Sequence, residues 1–154
     1  MKDYKSQKDI KFYWSMVILW MALIFYMSAQ PAGISNGMSK GATKVIIQVV
    51  DSIYPLDIEN STFQDWVNRF NHNVRKLGHI TEYLILGLLV TNAFKRCGKN
   101  GSRLILYSLL FCVVYAASDE LHQYFVPGRG PGLADVLLDS FGATLGIGIK
   151  KLKG

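Results

Sequence analysis

Polar side chains are concentrated in residues 118–129, directly after the apolar run 104–117. The set contains a hydroxyl, two adjacent carboxylates, an imidazole, a carboxamide and a guanidinium: Ser118, Asp119, Glu120, His122, Gln123 and Arg129. Ionisable groups at the edge of a membrane core are costly unless partners or water satisfy them, so they mark functional sites. This stretch is therefore the first candidate for chemistry.

A second polar group lies at the start of the apolar run 77–94 and directly before it. Arg75, His79 and Glu82 are at positions i, i+4 and i+7, so they share one helical face, and Lys76 stands beside the first of them. On that face Glu82 can fix the tautomer of His79, or Arg75 can favour the ionised form of Glu82.

A third group begins at Asp135. Asp135, Asp139, Gly142 and Gly146 are at i, i+4, i+7 and i+11, so two carboxylates and two glycines form one stripe. The GxxxG spacing allows close approach of a neighbouring helix, either within a bundle or in a homodimer through Gly142 and Gly146.

Three uses of these groups stay open. Carboxylates beside imidazoles suit general acid–base chemistry. Carboxylate oxygens and imidazole nitrogens also suit a divalent cation, although no cofactor follows from the sequence. The plainest alternative is a set of interhelical salt bridges that only fix the fold. The candidate cation ligands are His79, Glu82, Glu120, His122, Asp135 and Asp139.

The apolar segments predict an all-α membrane bundle. Of 154 residues, 50% are hydrophobic and 18% are charged. Four segments have the length and composition of membrane helices, at about 12–29, 77–94, 103–125 and 133–149. The first could be a signal peptide, but its length favours a retained helix. We expect one membrane domain over 1–154.

The long connection 30–76 carries two amphipathic stretches. Apolar residues recur at helical spacing over 38–53, and this predicts a helix that lies on the membrane or caps the bundle. A second stretch begins near Ser61, and Asn71, His72 and Asn73 could interrupt it before the next span.

The distribution of basic residues predicts orientation. Eleven of the 17 Lys and Arg residues lie in the N-terminal flank, the 95–103 turn and the C-terminal tail, which four spans would place on one side. The positive-inside rule then predicts cytoplasmic termini of a multi-pass cell-membrane protein. All three polar groups would meet near the outer surface.

The formal net charge of +6 does not indicate a nucleic-acid-binding protein, because no basic motif interleaved with aromatic residues accompanies it. No HExxH motif is present either.

With these residues in view, the chain resembles VanZ-like membrane proteins, a family named for a teicoplanin-resistance factor. The resemblance covers about residues 12–150. The residues that carry it are Arg75–Tyr83, Ser118–Gln123, Phe125–Arg129, Asp135–Val136, and Gly142, Ala143 and Gly146, with Ser28–Pro31 at the end of the first span. It implies lower susceptibility to teicoplanin or related lipoglycopeptides, and it supplies no established reaction.

The expected function is recognition or modification of an envelope lipid, a lipid-linked cell-wall precursor or a lipoglycopeptide at an outward-facing site. Glu82, Glu120 and His79 would be acid–base groups or ligands, oriented by Asp119 and Asp135. The expected binding residues are Arg75, Lys76, Ser118, Gln123 and Arg129. A non-enzymatic binder that masks the antibiotic's membrane target is an alternative, and a small ion- or proton-coupled carrier is another.

Overall fold

A computed structural model describes residues 2–54, 60–130 and 132–152, without the side chains of 2–6, 60, 61 and 151. The described residues form five α-helices in chain order and contain no strand. These are α1 (Lys2–Ser28), α2 (Ala32–Ile53), α3 (Asn60–Arg96), α4 (Gly101–Gln123) and α5 (Leu133–Leu152). The expected all-α class is therefore confirmed. The basic side chains of Lys2, Lys5 and Lys151, the break at Pro55, the capping hydroxyl of Ser61, and Pro131 and Lys153 lie outside the described residues.

The long connection is almost entirely helical where it is described. The helix expected over 38–53 begins earlier, at Ala32, and α3 runs without a break through Asn71, His72 and Asn73. The interruption considered at this point is therefore wrong. Neither glycine nor proline occurs between residues 60 and 77, and Asn71 donates from Nδ2 to Asn36 Oδ1 of α2 at 2.6 Å, so packing holds the polar turn helical.

Three helical segments are long and apolar enough to cross a membrane: Gln7–Ser28, Thr62–Arg96 and Gly101–Gln123. Helix α5 is not among them, and it carries Asp135, Asp139 and Lys150. The expectation of four transmembrane helices is therefore not confirmed. With 37 residues, α3 is about 55 Å long at 1.5 Å per residue, so it exceeds a hydrocarbon core of about 30 Å.

Helix α3 is the centre of the bundle and contacts each of the other four helices, most extensively α5. Glycine explains the close approach of α3 and α5. A Cβ atom added to Gly142 or Gly146 would overlap the backbone of Ile80 or Leu84, and one added to Gly87 would overlap Ala143. The GxxxG face is thus covered by α3 of the same chain. A homodimer through Gly142 and Gly146 remains an untested expectation.

The core lies where α1, α3, α4 and α5 meet. Its buried residues are Val17, Ile24, Tyr83, Leu86, Val90, Ala93, Cys112, Ala116 and Ala143. Two hydrogen bonds fix α1 against its neighbours: Trp20 Nε1 donates to the Glu82 carbonyl at 2.9 Å, and Tyr115 OH donates to the Met21 carbonyl at 2.6 Å. Large apolar side chains such as Leu19, Val114 and Phe141 remain on the outside of the bundle, as expected for lipid-facing surfaces.

Candidate functional site

The close packing of α3 and α5 brings His79 to Asp139. His79 Nδ1 lies 3.4 Å from Asp139 Oδ1, and the Asp139 side chain is fully buried. Asp139 stands one helical turn before Gly142, where an added Cβ atom would overlap the α3 backbone. A carboxylate at this distance can pair electrostatically with the imidazole when the ring is protonated. His79 therefore has a fixed partner on a different helix.

Glu82 lies one turn further along α3 and faces the same space as His79. Its neighbour Tyr83 is fully buried, and the Tyr83 hydroxyl has no hydrogen-bond partner within the described part of the chain. The Tyr83 ring lies 6.2 Å from that of Tyr115, centroid to centroid. The polar stripe of α3 thus borders an aromatic pair, in which Tyr83 is fully buried and Tyr115 is half-buried.

Asp119 is the residue of α4 that reaches this space. It is buried, and its Oδ2 accepts a hydrogen bond from Gln123 Nε2 at 3.4 Å. Ser28, the last residue of α1, also lies beside it. Gln123 is therefore a support for Asp119 and does not line the cavity itself.

Glu120 has a different place. Its Oε2 accepts a hydrogen bond from the backbone N–H of Gly132 at 2.9 Å, and it is not among the cavity-lining residues. Glu120 thus ties the end of α4 to the start of α5 across the 124–132 turn. That turn also contacts α2, since the Ala32 N–H donates to the Pro127 carbonyl at 3.2 Å. Gly128 in the same turn has φ +76°, a conformation that favours glycine.

Two guanidinium groups face the site without a carboxylate partner. Arg75 Nη2 donates to Asn36 Oδ1 at 3.1 Å, and its buried Nε has no hydrogen-bond partner among the described residues. Burial, and then the nearby charge of Arg75, lower the pKa of Arg129 below its usual value. Throughout the described ranges, neither arginine is within 4.0 Å of an acidic oxygen. The carboxylates of Asp119, Glu120 and Glu82 partly offset this repulsion at Arg129, and an anion between the two guanidinium groups would offset it further.

These groups border one cavity of about 350 Å³. Its walls come from the end of α1, the first half of α2, the middle of α3, the end of α4 and the 124–132 turn. The lining residues are Met27, Ser28, Ser35, Met38, Ser39, Ala42, Val74, Arg75, Gly78, His79, Glu82, Asp119 and Arg129. Met27, Met38, Ala42 and Val74 are the larger apolar members of this lining, and the ionisable members are Arg75, His79, Glu82, Asp119 and Arg129.

Five residues expected at the site do not line this cavity: Glu120, Gln123, Ser118, Lys76 and Asp135. Ser118 is exposed, and its hydroxyl donates to the Tyr115 carbonyl at 2.7 Å. The Lys76 side chain is exposed. Asp135 is half-buried and lies at the start of α5 beside Gly132. These three residues are thus near the site in sequence but outside its walls.

The structure gives two residues contacts that the sequence analysis did not assign. Asp139 was selected there only as a candidate cation ligand in the α5 stripe, because spacing within one helix cannot identify a partner on α3. Asn36 carries no comparable signal, because an isolated asparagine in a polar segment is ordinary. It becomes important only when α2 packs on α3 and its Oδ1 accepts hydrogen bonds from both Asn71 and Arg75.

A metal centre has no clear ligand set here. Among the described residues, no group of three or more His, Cys, Asp or Glu side chains is placed to hold a metal ion. The two candidate ligands nearest each other, His79 and Asp139, contact each other directly. The divalent cation left open by the sequence gains no support from this arrangement.

Fold and site together define a helical membrane-type protein with an amphipathic cavity at one end of its bundle. A profile of the VanZ/LLP1 family matches residues 13–154, nearly the whole chain, and the protein belongs to that family. No curated protein and no solved structure gives a significant match. The resemblance noted from the motifs is therefore confirmed.

Proposed function

We propose that this protein binds an anionic, lipid-linked component of the cell envelope in the cavity between α2, α3 and α4, and thereby lowers susceptibility to teicoplanin or related lipoglycopeptides. The observation that supports this proposal is the composition of the cavity. Arg75 and Arg129 offer two cations with no acidic oxygen within 4.0 Å in the described ranges, and Met27, Met38 and Val74 add apolar side chains to the lining. A ligand with a phosphate or carboxylate head and a hydrocarbon chain satisfies both.

The ligand in this proposal is an envelope lipid, a lipid-linked cell-wall precursor or the lipoglycopeptide itself. Its charged group would lie between the two guanidinium groups, and its chain would contact the methionine side chains. His79 and Glu82 would then face the ligand near its head group and could exchange protons with it. Asp139 would act as a positioning residue for His79, because it contacts the imidazole and lies outside the cavity lining.

The proposed membrane arrangement follows the basic residues. Helix α5 would be the fourth membrane helix, with its two carboxylates turned towards α3 and the 124–132 turn. Both termini would be cytoplasmic, and the cavity would open near the outer surface. The unequal distribution of Lys and Arg supports this orientation.

The direct test compares teicoplanin susceptibility in cells that express the wild type or Arg75→Gln/Arg129→Gln. The double variant should lose the protection, while equal membrane abundance excludes a loss of protein. Lys76→Gln is the matched control, because it removes a neighbouring positive charge that is exposed and outside the cavity. Full protection by the double variant would reject the proposed role of the cavity.

The second candidate is a protein that masks the antibiotic's membrane target by binding alone, without proton transfer by His79 or Glu82, and one feature favours it. Helix α2 lines the cavity through Ser35, Met38, Ser39 and Ala42, so ligand contact includes residues without acid–base chemistry. Glu82→Gln separates the two functions, since the amide keeps the size of the side chain and cannot act as an acid or base at neutral pH. Protection should persist in this variant if binding alone suffices, and it should disappear if proton transfer is required.

A further inference from the structure

A second cleft lies at the other end of the bundle, where α3, α4 and α5 meet near the 97–100 turn. It has two adjoining parts of about 400 and 190 Å³ that share Lys95, Asn100 and Lys150. Lys95 is 13 residues after Glu82 on α3, so the cleft is about 20 Å from the cavity at 1.5 Å per residue. The two sites are therefore distinct.

Positive charge in this cleft is not balanced by acidic residues. Lys95, Arg96 and Lys150 line the larger part with the amides of Asn92 and Asn100, and the described lining contains no carboxylate. Arg96 is partly engaged: its Nη1 is 3.9 Å from Asp9, its Nη2 is 3.5 Å from the Tyr13 hydroxyl, and it lies over the Tyr13 ring. Lys95 and Lys150 have no acidic oxygen within 4.0 Å in the described ranges.

Basic residues near the C-terminal ends of α3 and α5 stabilise each helix dipole whichever way their side chains point, so the dipole alone does not explain the cleft. Here they come from two different helices and line one cleft. The first turn of α4 adds backbone N–H groups that lack intrahelical partners, and its N-cap residue Asn100 makes no capping hydrogen bond from its side chain. Each of these features favours an anion in the same place.

The smaller part of the cleft is less polar and continues along the bundle. Leu104, Ile105 and Ile147 line it, together with Thr91, whose hydroxyl already donates to the Gly87 carbonyl at 2.7 Å. The cleft also lies at the turn that joins two of the membrane-type helices, so it would be at the bilayer surface. A charged opening beside an apolar groove at that depth fits an amphiphile.

We propose that this cleft binds an anionic phospholipid, with the headgroup phosphate between Lys95 and Lys150 and the start of an acyl chain along Ile105 and Ile147. A free phosphate ion would satisfy the lysines but would leave the apolar groove without a partner. The proposal concerns a different site from the cavity and does not depend on the proposed function.

The test is native mass spectrometry of the full chain in detergent, titrated with phosphatidylglycerol or with phosphatidylcholine of the same acyl chains. Phosphatidylglycerol should bind at least about tenfold more tightly than phosphatidylcholine, because its headgroup is anionic. Lys95→Gln/Lys150→Gln should lower the affinity for phosphatidylglycerol by about tenfold or more, since each nearby cation adds to the binding free energy. Lys95→Arg/Lys150→Arg should restore binding, because it keeps both charges.

All titrations are made in an Arg75→Gln/Arg129→Gln background, so that lipid binding in the cavity does not contribute. The control Lys40→Gln/Lys44→Gln removes the same charge on α2 and should leave the affinity for phosphatidylglycerol unchanged. Equal affinity for the two lipids, or an equal loss in the Lys40/Lys44 variant, would overturn the proposal in favour of general surface electrostatics. Displacement of the lipid by millimolar inorganic phosphate, with phosphate retained in the cleft, would assign the site to the free ion instead.

Discussion

The side chains of His79 and Asp139 show how a functional group is fixed inside an apolar bundle. His79 lies at the cavity wall, whereas Asp139 is fully buried behind it with its Oδ1 3.4 Å from the imidazole. Removal of one member of a buried charged pair leaves the other without compensation, and this is more destabilising than removal of both. The pair should therefore be energetically coupled.

A double-mutant cycle tests this coupling. His79→Leu should lower the free energy of unfolding by about 3 kcal/mol, because it leaves the Asp139 carboxylate buried without a cation. The double variant His79→Leu/Asp139→Leu should recover part of that loss, with a coupling energy of about 0.5–3 kcal/mol. Unfolding in detergent, monitored by circular dichroism, provides the measurement. Additive effects of the two substitutions would show that the residues do not interact.

Glu120 illustrates a residue whose type suggested one role and whose contacts indicate another. Its carboxylate accepts the Gly132 N–H, so a neutral acceptor can replace it. Glu120→Gln should keep most of the antibiotic protection, whereas Glu120→Leu should lose it and destabilise the protein by about 1.5–3 kcal/mol, the range for a hydrogen bond to a charged group. Susceptibility assays at matched abundance compare the two. Equal loss in both variants would instead support the acid–base role expected from the sequence.

At the level of secondary structure, the site depends on how closely α5 approaches α3. The glycines at 142 and 146 permit that approach, since a Cβ at either position would overlap the α3 backbone. Without it, Asp139 would not reach His79. The α5 stripe thus combines a packing role in its second half with an electrostatic role in its first half.

Two alanine substitutions test the packing role of the α5 glycines. Gly146→Ala should destabilise the bundle by about 1–3 kcal/mol, as expected for overpacking against a backbone that cannot move aside. Gly148→Ala is the matched control on the same helix, because a Cβ there meets nothing within 4 Å. It should be neutral or slightly stabilising, since alanine favours helix over glycine. Thermal unfolding of the two variants would give equal shifts only if α3–α5 contact were unimportant.

Helix α2 sets the shape of the cavity from outside the central bundle. Asn36 accepts hydrogen bonds from Asn71 and Arg75, and the Ala32 N–H donates to Pro127. These contacts join α2 to α3 at one point and to the 124–132 turn at another. An amphipathic segment that could have lain flat on a membrane is thereby one wall of the cavity.

For the whole molecule, the sequence predicted the helical class and several of the polar residues that line the cavity, but not how the polar residues are grouped. Arg75, His79 and Glu82 share a face by spacing alone, and they do line one cavity. Spacing within one helix cannot assign partners on another, so the contacts of Asp139, Glu120 and Asn36 were not predictable. The break considered at Asn71 failed because a tertiary hydrogen bond outweighs weak local propensity.

The proposed orientation can be tested with the native cysteines. Cys97 is exposed in the 97–100 turn, and Cys112 is buried in α4. With cytoplasmic termini, a membrane-impermeant maleimide should label Cys97 only after the cells are permeabilised, and Cys112 should stay unlabelled until the protein unfolds. A Cys97→Ser variant identifies background labelling. Labelling of Cys97 in intact cells would reverse the proposed topology.

We propose above that the cavity holds an anionic amphiphile between Arg75 and Arg129. Site-specific photo-crosslinking is the most direct test of this binding. A phospholipid with a photoreactive group on its acyl chain would be incubated with the protein in its membrane, and the adducts located by peptide mass spectrometry. We expect adducts at Met27, Met38 or Val74 that disappear in Arg75→Gln/Arg129→Gln and persist in Lys76→Gln. Adducts spread over the exposed apolar faces, and unchanged by the arginine substitutions, would contradict the account.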